Sequence, residues 1–257
     1  MTEIKKIIAE IEKYAPLKLS YACIEKGLYD NSGLLLDGGE SQTENVVFAL
    51  DLCDGAVEKA IDCGAKLIVT HHPAIYKPVK HVGGTLAKCL KNGISVYSAH
   101  LNLDIARGGI DDELARICGA RKGKTLTNEE IDGGLGFGRY FDVEPQTIEQ
   151  LTQKITAALN TSKYILFGNS SEIVSKAGSF CGAGLSEEIA CSNGGQAELL
   201  ISADIPHHVV LAALENGKSV LQLTHYASEA APFFVFASAI CEKLKTEQRF
   251  FRDERFL

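Results

Sequence analysis

The sequence predicts an α/β protein made of two related α/β domains, with mixed, largely parallel sheets facing a central cleft. Three observations lead there. Short β-branched runs alternate with helical segments through short connections, which is the pattern of βαβ units. A series of motifs in the first half returns in the second half. Five of the seven histidines fall just past the C-terminal end of a predicted strand, where open α/β sheets place ligands.

The elements follow in order. Residues 2–15, TEIKKIIAEIEKYA, repeat Ile4, Ile7, Ile8 and Ile11 at helical spacing. Thr2 is expected to cap that helix and Pro16 to stop it. A first strand is predicted at 46–50. A helix at 55–62 follows, capped by Asp54 and closed by Gly64. KLIVT at 66–70 reads as a second strand because it is short and β-branched. A helix at 85–91 ends at Asn92-Gly93, and 94–98 is a third strand. Asp111 is expected to cap a short helix closed by Gly119. The glycine-rich stretch 133–138 reads as a junction. The domains are then 1–127 and 128–257, with the final helix packing back on the first. Past the junction, strands are predicted at 140–143, 164–167, 174–180, 198–202 and 219–223. Pro145 and Thr147 open a helix to about 159, a second helix covers 206–215, and a long apolar helix covers 230–246.

The repeat is specific. The first half reads Gly64-Ala65-x-Leu67-Ile68-Val69-Thr70, then Asn92-Gly93-x-Ser95-Val96, then His100-x-x-x-Asp104. The second reads Gln196-Ala197-x-Leu199-Leu200-Ile201-Ser202, then Asn216-Gly217-x-Ser219-Val220, then His225-x-x-x-Glu229. Each half ends a strand on a histidine with a carboxylate four residues on. A fixed-order echo of this kind points to duplicated α/β halves.

Composition narrows the function. With 46% hydrophobic and 23% charged residues in 257, the chain is too apolar for disorder. No stretch approaches the roughly 20 apolar residues of a membrane span. The net charge of −7 does not suit a nucleic-acid partner. The eight cysteines show no C-x-x-C spacing, so a redox role for Cys53 and Cys63 is set aside. Free thiols and the acidic residues Glu3, Glu10 and Glu12 near the start point to a cytoplasmic protein.

Three clusters carry candidate chemistry. His71 and His72 close KLIVT ahead of Pro73, where the chain can splay and two imidazoles can serve neighbouring ions. They also read as a polar loop pair. Asp104 can bridge two cations, or can turn the Gly108-Gly109 loop. His225 and Glu229, four apart, share a helix face; Glu229 also reads as a carboxylate favoured by the helix dipole. Together they form a three-histidine, two-carboxylate set suited to zinc, iron, manganese or cobalt. Two carboxylates can bridge two metals about 3.5–4 Å apart. His100 reads as a proton shuttle, as a residue that supports a metal ligand, or as an ordinary strand-end histidine. His207 and His208 read either as lining the crevice mouth or as surface residues, and His81 as a surface residue. Gly182-Ala183-Gly184 reads either as an anion cradle or as a tight turn. No P-loop and no G-x-S-x-G elbow is present.

At these residues the sequence resembles the Nif-three-like dinuclear metal-centre family, often labelled GTP cyclohydrolase 1 type 2 homologues, in its short form. The marks are DNSGLLLDGG at 30–39, IVTHHPAIYKP at 68–78, AHLNLD at 99–104, GLGFGRYFDV at 134–143, FCGAG at 180–184, LLISADIPHH at 199–208 and THYASE at 224–229. Their order and spacing together carry the resemblance. It implies a homo-oligomer, a toroidal hexamer, with two divalent metal ions per subunit on His71, His72, Asp104, His225 and Glu229. With the convergent donor set, the leading reading is a metal-dependent hydrolase acting on a small molecule such as a nucleotide or purine ring, with His100 or Glu229 moving protons. The alternative is a non-enzymatic metal-binding or scaffold hexamer. Tyr29, Leu101, Ala203 and Thr224 depart from the usual family residues, and none of them is an implied ligand.

Overall fold

The structure is a computed structural model and describes residues 1–121, 126–192 and 196–256. Backbone contacts divide it into two compact units, Met1–Gly109 with Phe233–Asp253, and Ile110–Pro232 with Glu254–Leu257.

Unit 1 begins with β1 (Thr2–Glu3), α1 (Ile4–Tyr14), α2 (Leu17–Glu25), β2 (Gly33–Leu36) and β3 (Gln42–Thr43). It continues with β4 (Val46–Ala49), α3 (Asp54–Asp62), β5 (Leu67–Thr70), α4 (Gly84–Lys91), β6 (Ser95–Ser98) and α5 (Leu101–Asp104). Strands β4, β5 and β6 run parallel, and β2 pairs antiparallel to β6. Every residue of β4, β5 and β6 is buried. That is why they read as near-continuous apolar runs: a parallel sheet is covered on both faces. One face carries Val57, Ala60 and Cys89 from α3 and α4, packed on Val47, Ile68 and Val96.

Unit 2 holds α6 (Ile110–Ile117), β7 (Leu126–Asp132), β8 (Leu135–Thr147), α7 (Ile148–Ala158), β9 (Tyr164–Phe167) and β10 (Ile173–Ser179). It continues with α8 (Glu187–Cys191), β11 (Leu199–Ala203), α9 (His207–Glu215) and β12 (Ser219–Leu223). The strand order is β7-β8-β10-β11-β12-β9. Strands β10, β11 and β12 are parallel, and the other pairs are antiparallel. Gly133 and Gly134, at φ +56° and +83°, make the tight turn between β7 and β8. Only glycine takes two such successive left-handed residues without strain. The last helix, α10 (His225–Leu244), is continuous: residues 225–232 count with unit 2, and Phe233 onward with unit 1. Strand β13 (Arg249–Phe251) then pairs parallel to β4 in unit 1.

The motif echo is a topological repeat. The path α2-β2-β4-α3-β5-α4-β6-α5 recurs as α7-β9-β10-α8-β11-α9-β12-α10. The strand orders β4-β5-β6-β2 and β10-β11-β12-β9 match, including the antiparallel last strand. Strand β13 extends one copy beside β4, and β8 with β7 extends the other beside β10.

Three expected caps are corrected. Thr2 pairs with Thr43 in β1, and the α1 N-cap is Glu3, with no side-chain cap bond. Pro16 ends α1 but is itself the N-cap of α2, a helix absent from the sequence reading. Asp54 lies inside the first turn of α3, where its carboxylate accepts from Thr85 Oγ1. Asp111 sits within α6 and accepts instead from the backbone amides of Gly138 and Cys181, at 2.7 and 3.0 Å. Burial pushes its carboxyl upward, against the pull of Arg139 and those two amides. Asp54 and Asp111 thus bond distant donors rather than local helix amides. Thr147, by contrast, closes a full capping box with Gln150.

Candidate metal centre

In unit 1, the Leu50 carbonyl at the end of β4 accepts from the amides of both His71 and His72, at 3.2 and 3.0 Å. The chain therefore turns sharply as it leaves β5. Thr70 Oγ1 donates to the His72 carbonyl at 2.8 Å and shares a 2.7 Å hydrogen bond with Ser98 on β6. This packing brings three imidazoles together. Ring centroids of His71 lie 5.1 Å from His72 and 5.4 Å from His100, and His72 lies 5.8 Å from His100. Asp104, buried at the end of α5, puts Oδ1 3.4 Å from His71 Nε2.

In unit 2, β12 ends and α10 begins at His225. Its Nε2 lies 3.1 Å from Glu229 Oε2, one helical turn on. Glu229 is buried and His225 is half-exposed. The Gly182 amide donates to Ser228 Oγ, and the Gly182 carbonyl accepts from the Ala203 amide and from Ser202. Residues 182–184 form a tight turn, closed by Gly184 N–H to the Cys181 carbonyl. His207 and His208 sit exposed at the start of α9, His208 4.0 Å from Glu187. His81 is exposed.

One pattern is common to His71, His72 and His100 in unit 1 and to His225 in unit 2. Each has an oxygen on Nδ1: the Ala99 carbonyl on His71 at 2.7 Å, Asp51 on His72 at 2.6 Å, Asp30 on His100 at 2.8 Å and Asp204 on His225 at 2.7 Å. These oxygens are acceptors, so Nδ1 carries the hydrogen. In the neutral ring Nε2 then keeps the lone pair. Orientation of the second ring nitrogen by a carbonyl or carboxylate is how proteins present a histidine to a metal. The donor set thus fits divalent ions of the zinc, iron, manganese and cobalt group. Asp30, Asp51 and Asp204 were not assigned these roles from sequence. For Asp51 and Asp204 the available signal was a position just past a predicted strand; Asp30 had none.

Asp30 is set by this network. Burial raises its carboxyl, but hydrogen bonds from His100, Ser20 and Ser32 outweigh it and hold the pKa at about 2. A carboxylate whose folded value lies below its unfolded value stabilises the fold above the unfolded pKa, and loses that contribution as pH falls through the folded one. Asp30→Asn is therefore expected to cost about 2 kcal/mol at pH 7. It should also flatten the loss of stability between about pH 4 and pH 2. Urea melts of both proteins across that window test it; parallel curves would count against the assignment.

Fold and site together define a duplicated α/β protein whose strand ends carry metal-type histidine and carboxylate clusters. The chain belongs to the Duf34/NIF3 (NGG1p interacting factor 3) family, whose sequence profile matches residues 2–253. Similar relatives include the GTP cyclohydrolase 1 type 2 homolog of Clostridium perfringens, 28% identical over 96% of this chain and 95% of that protein. Another, the homolog of Methanocaldococcus jannaschii, is 30% identical over 95% of this chain and 96% of its own. Among solved structures, reduced HcgD from Methanocaldococcus jannaschii matches with TM-score 0.80 at 27% identity, over 98% of each chain. A Bacillus cereus protein related to NIF3 shares the fold at TM-score 0.81 and 18% identity, over 98% of this chain and 97% of that one. Among the described residues no helix is long and apolar enough to cross a membrane.

Proposed function

We propose that this protein holds two divalent metal ions per subunit and is a metal-dependent hydrolase acting on a nucleotide or purine ring, in keeping with the names of its relatives. The observation that carries the reading is the uniform anchoring of Nδ1 on His71, His72, His100 and His225, which leaves Nε2 for a ligand. The proposed ligands are His71, His72, Asp104, His225 and Glu229. Of these, His71, His72 and Asp104 belong to one unit, and His225 and Glu229 to the other.

Divalent ions in such a site supply a nucleophile from water near neutral pH. In this reading His100, oriented by Asp30, holds or takes a proton at Nε2, and Glu229 relays one. The eight cysteines, free thiols in the structure, support a cytoplasmic setting. The assembly is proposed to be a homo-hexamer.

Elemental analysis of untreated protein, read against chain concentration, is the test. About two equivalents of a transition metal are expected, and a content near zero after growth with added metals would overturn the centre. Metal-loaded protein is expected to hydrolyse at least one member of a nucleotide, phosphoester and amide panel. A metal-replete protein silent on all three would remove the hydrolase and keep the binding site.

A further inference from the structure

We infer that the loop after His72 and the segment before Asp30 form a recognition surface for a planar heteroaromatic ring carrying phosphate. This rests on the reading of the histidine cluster as a hydrolase centre and assigns the residues that recognise its substrate. The first observation is a pair of exposed aromatic rings. Tyr29 and Tyr76 are 48% and 49% exposed, yet held edge to face with centroids 4.9 Å apart and planes at 68°. An edge-to-face pair leaves ring faces open for a third ring. Solvent exposure of two packed tyrosines costs apolar burial, and a stacking partner restores it.

The second observation is where the pair is fixed. Asn31 Nδ2 donates to the Ile75 carbonyl at 2.6 Å, tying the residue before Tyr76 to the segment that holds Tyr29. Asp30, next to Tyr29, bonds His100. Tyr76 follows His72 by four residues, a reach of at most about 15 Å. A ring on the tyrosines is therefore within a short ligand's length of the imidazoles in the same unit.

The third observation is charge. No Asp or Glu occurs between Asp62 and Asp104, whereas Lys66, Lys77, Lys80, Lys88 and Lys91 do, in a chain of net charge −7. Lys66 donates to the Asn92 carbonyl and Lys88 pairs with Glu58. Lys77 and Lys80 lie on the exposed loop just past Tyr76. Lysines serve phosphate as point charges, and an acid-free stretch of this kind attracts anions against the overall field.

Calorimetric binding of GTP, ATP, guanosine and tripolyphosphate to the full chain, with Tyr76→Leu, Tyr29→Leu and the double variant Lys77→Gln/Lys80→Gln, separates the parts. Each tyrosine variant is expected to weaken GTP, ATP and guanosine about tenfold and to leave tripolyphosphate unchanged. The lysine variant is expected to weaken GTP, ATP and tripolyphosphate by about fivefold or more at low salt, with guanosine unchanged. Wild-type affinity for all probes in every variant would overturn the proposal. So would a wild-type protein that binds none of them, which is the outcome if the surface docks a protein instead. Metal content is measured on the same samples. Full metal with no ring or phosphate effect defeats this surface alone, and the reverse result defeats the metal centre alone.

Discussion

Asp104→Ala combined with His225→Ala is expected to lower bound metal from about two equivalents per chain to below one. The two residues sit in different copies of the repeated fold, each at the end of the third parallel strand of its sheet. In one copy Asp104 faces His71 Nε2 at 3.4 Å; in the other His225 Nε2 faces Glu229 at 3.1 Å. Each change removes one member of a close nitrogen–oxygen pair, so neither copy keeps its full donor set. The single variants should each lose metal affinity, and their joint loss should depart from the sum if both sets serve one centre. Metal that binds only the folded protein stabilises it by about 2.7 kcal/mol at a hundredfold excess over Kd. The double variant should therefore melt near the temperature of chelator-treated wild type, with no further drop on adding chelator. His207→Ala and His208→Ala, exposed at the start of α9, serve as controls and should keep their metal. A double variant that still carries two equivalents would refute the ligand assignment.

The inner strands β4, β5, β6 and β11 were legible because burial on two faces writes itself as apolar runs. β9 and β12 fall on the predicted residues, and β5, β6, β10 and β11 fall within one residue at each end. The His71-His72, His100-x-x-x-Asp104 and His225-x-x-x-Glu229 groups were legible for a related reason: in a parallel sheet the strand end marks the ligand edge. Other features were hidden by rival meanings. Pro16 reads as a stop, and it is one for α1, but its fixed φ also opens α2. Gly33–Leu36 lies in a glycine- and aspartate-flanked segment that reads as loop, yet tertiary pairing with β6 makes it a strand. Asp30, Asp51 and Asp204 find their histidines 70, 21 and 21 residues away in sequence. No local pattern encodes such a partner. The same distance effect diverted Asp54 and Asp111 from the caps that local spacing suggested.

Gly182→Ala should separate the site from the fold. Gly182 sits at φ +51°, in the left-handed region. A Cβ built there would lie 2.4 Å from Glu229 Oε1 and 3.0 Å from His225 Nε2. Both contacts are side-chain ends, so the fold can yield by moving them. The cost to stability is then mainly the left-handed backbone, about 1–2 kcal/mol. Moving Glu229 and His225 is a different matter for a centre that needs both atoms in place. A displacement of the size this overlap demands exceeds the tolerance of a preorganised ligand set, about 0.5 Å. Metal affinity is expected to fall at least about tenfold, as for loss of a supporting contact. Glu229→Gln alone keeps the shape and removes the charge, so it should lose metal with little change in melting temperature of the metal-free protein. If Gly182→Ala binds metal like wild type, the Gly182 turn does not shape this edge of the site. If it unfolds, Glu229→Gln still reports whether that carboxylate is a ligand.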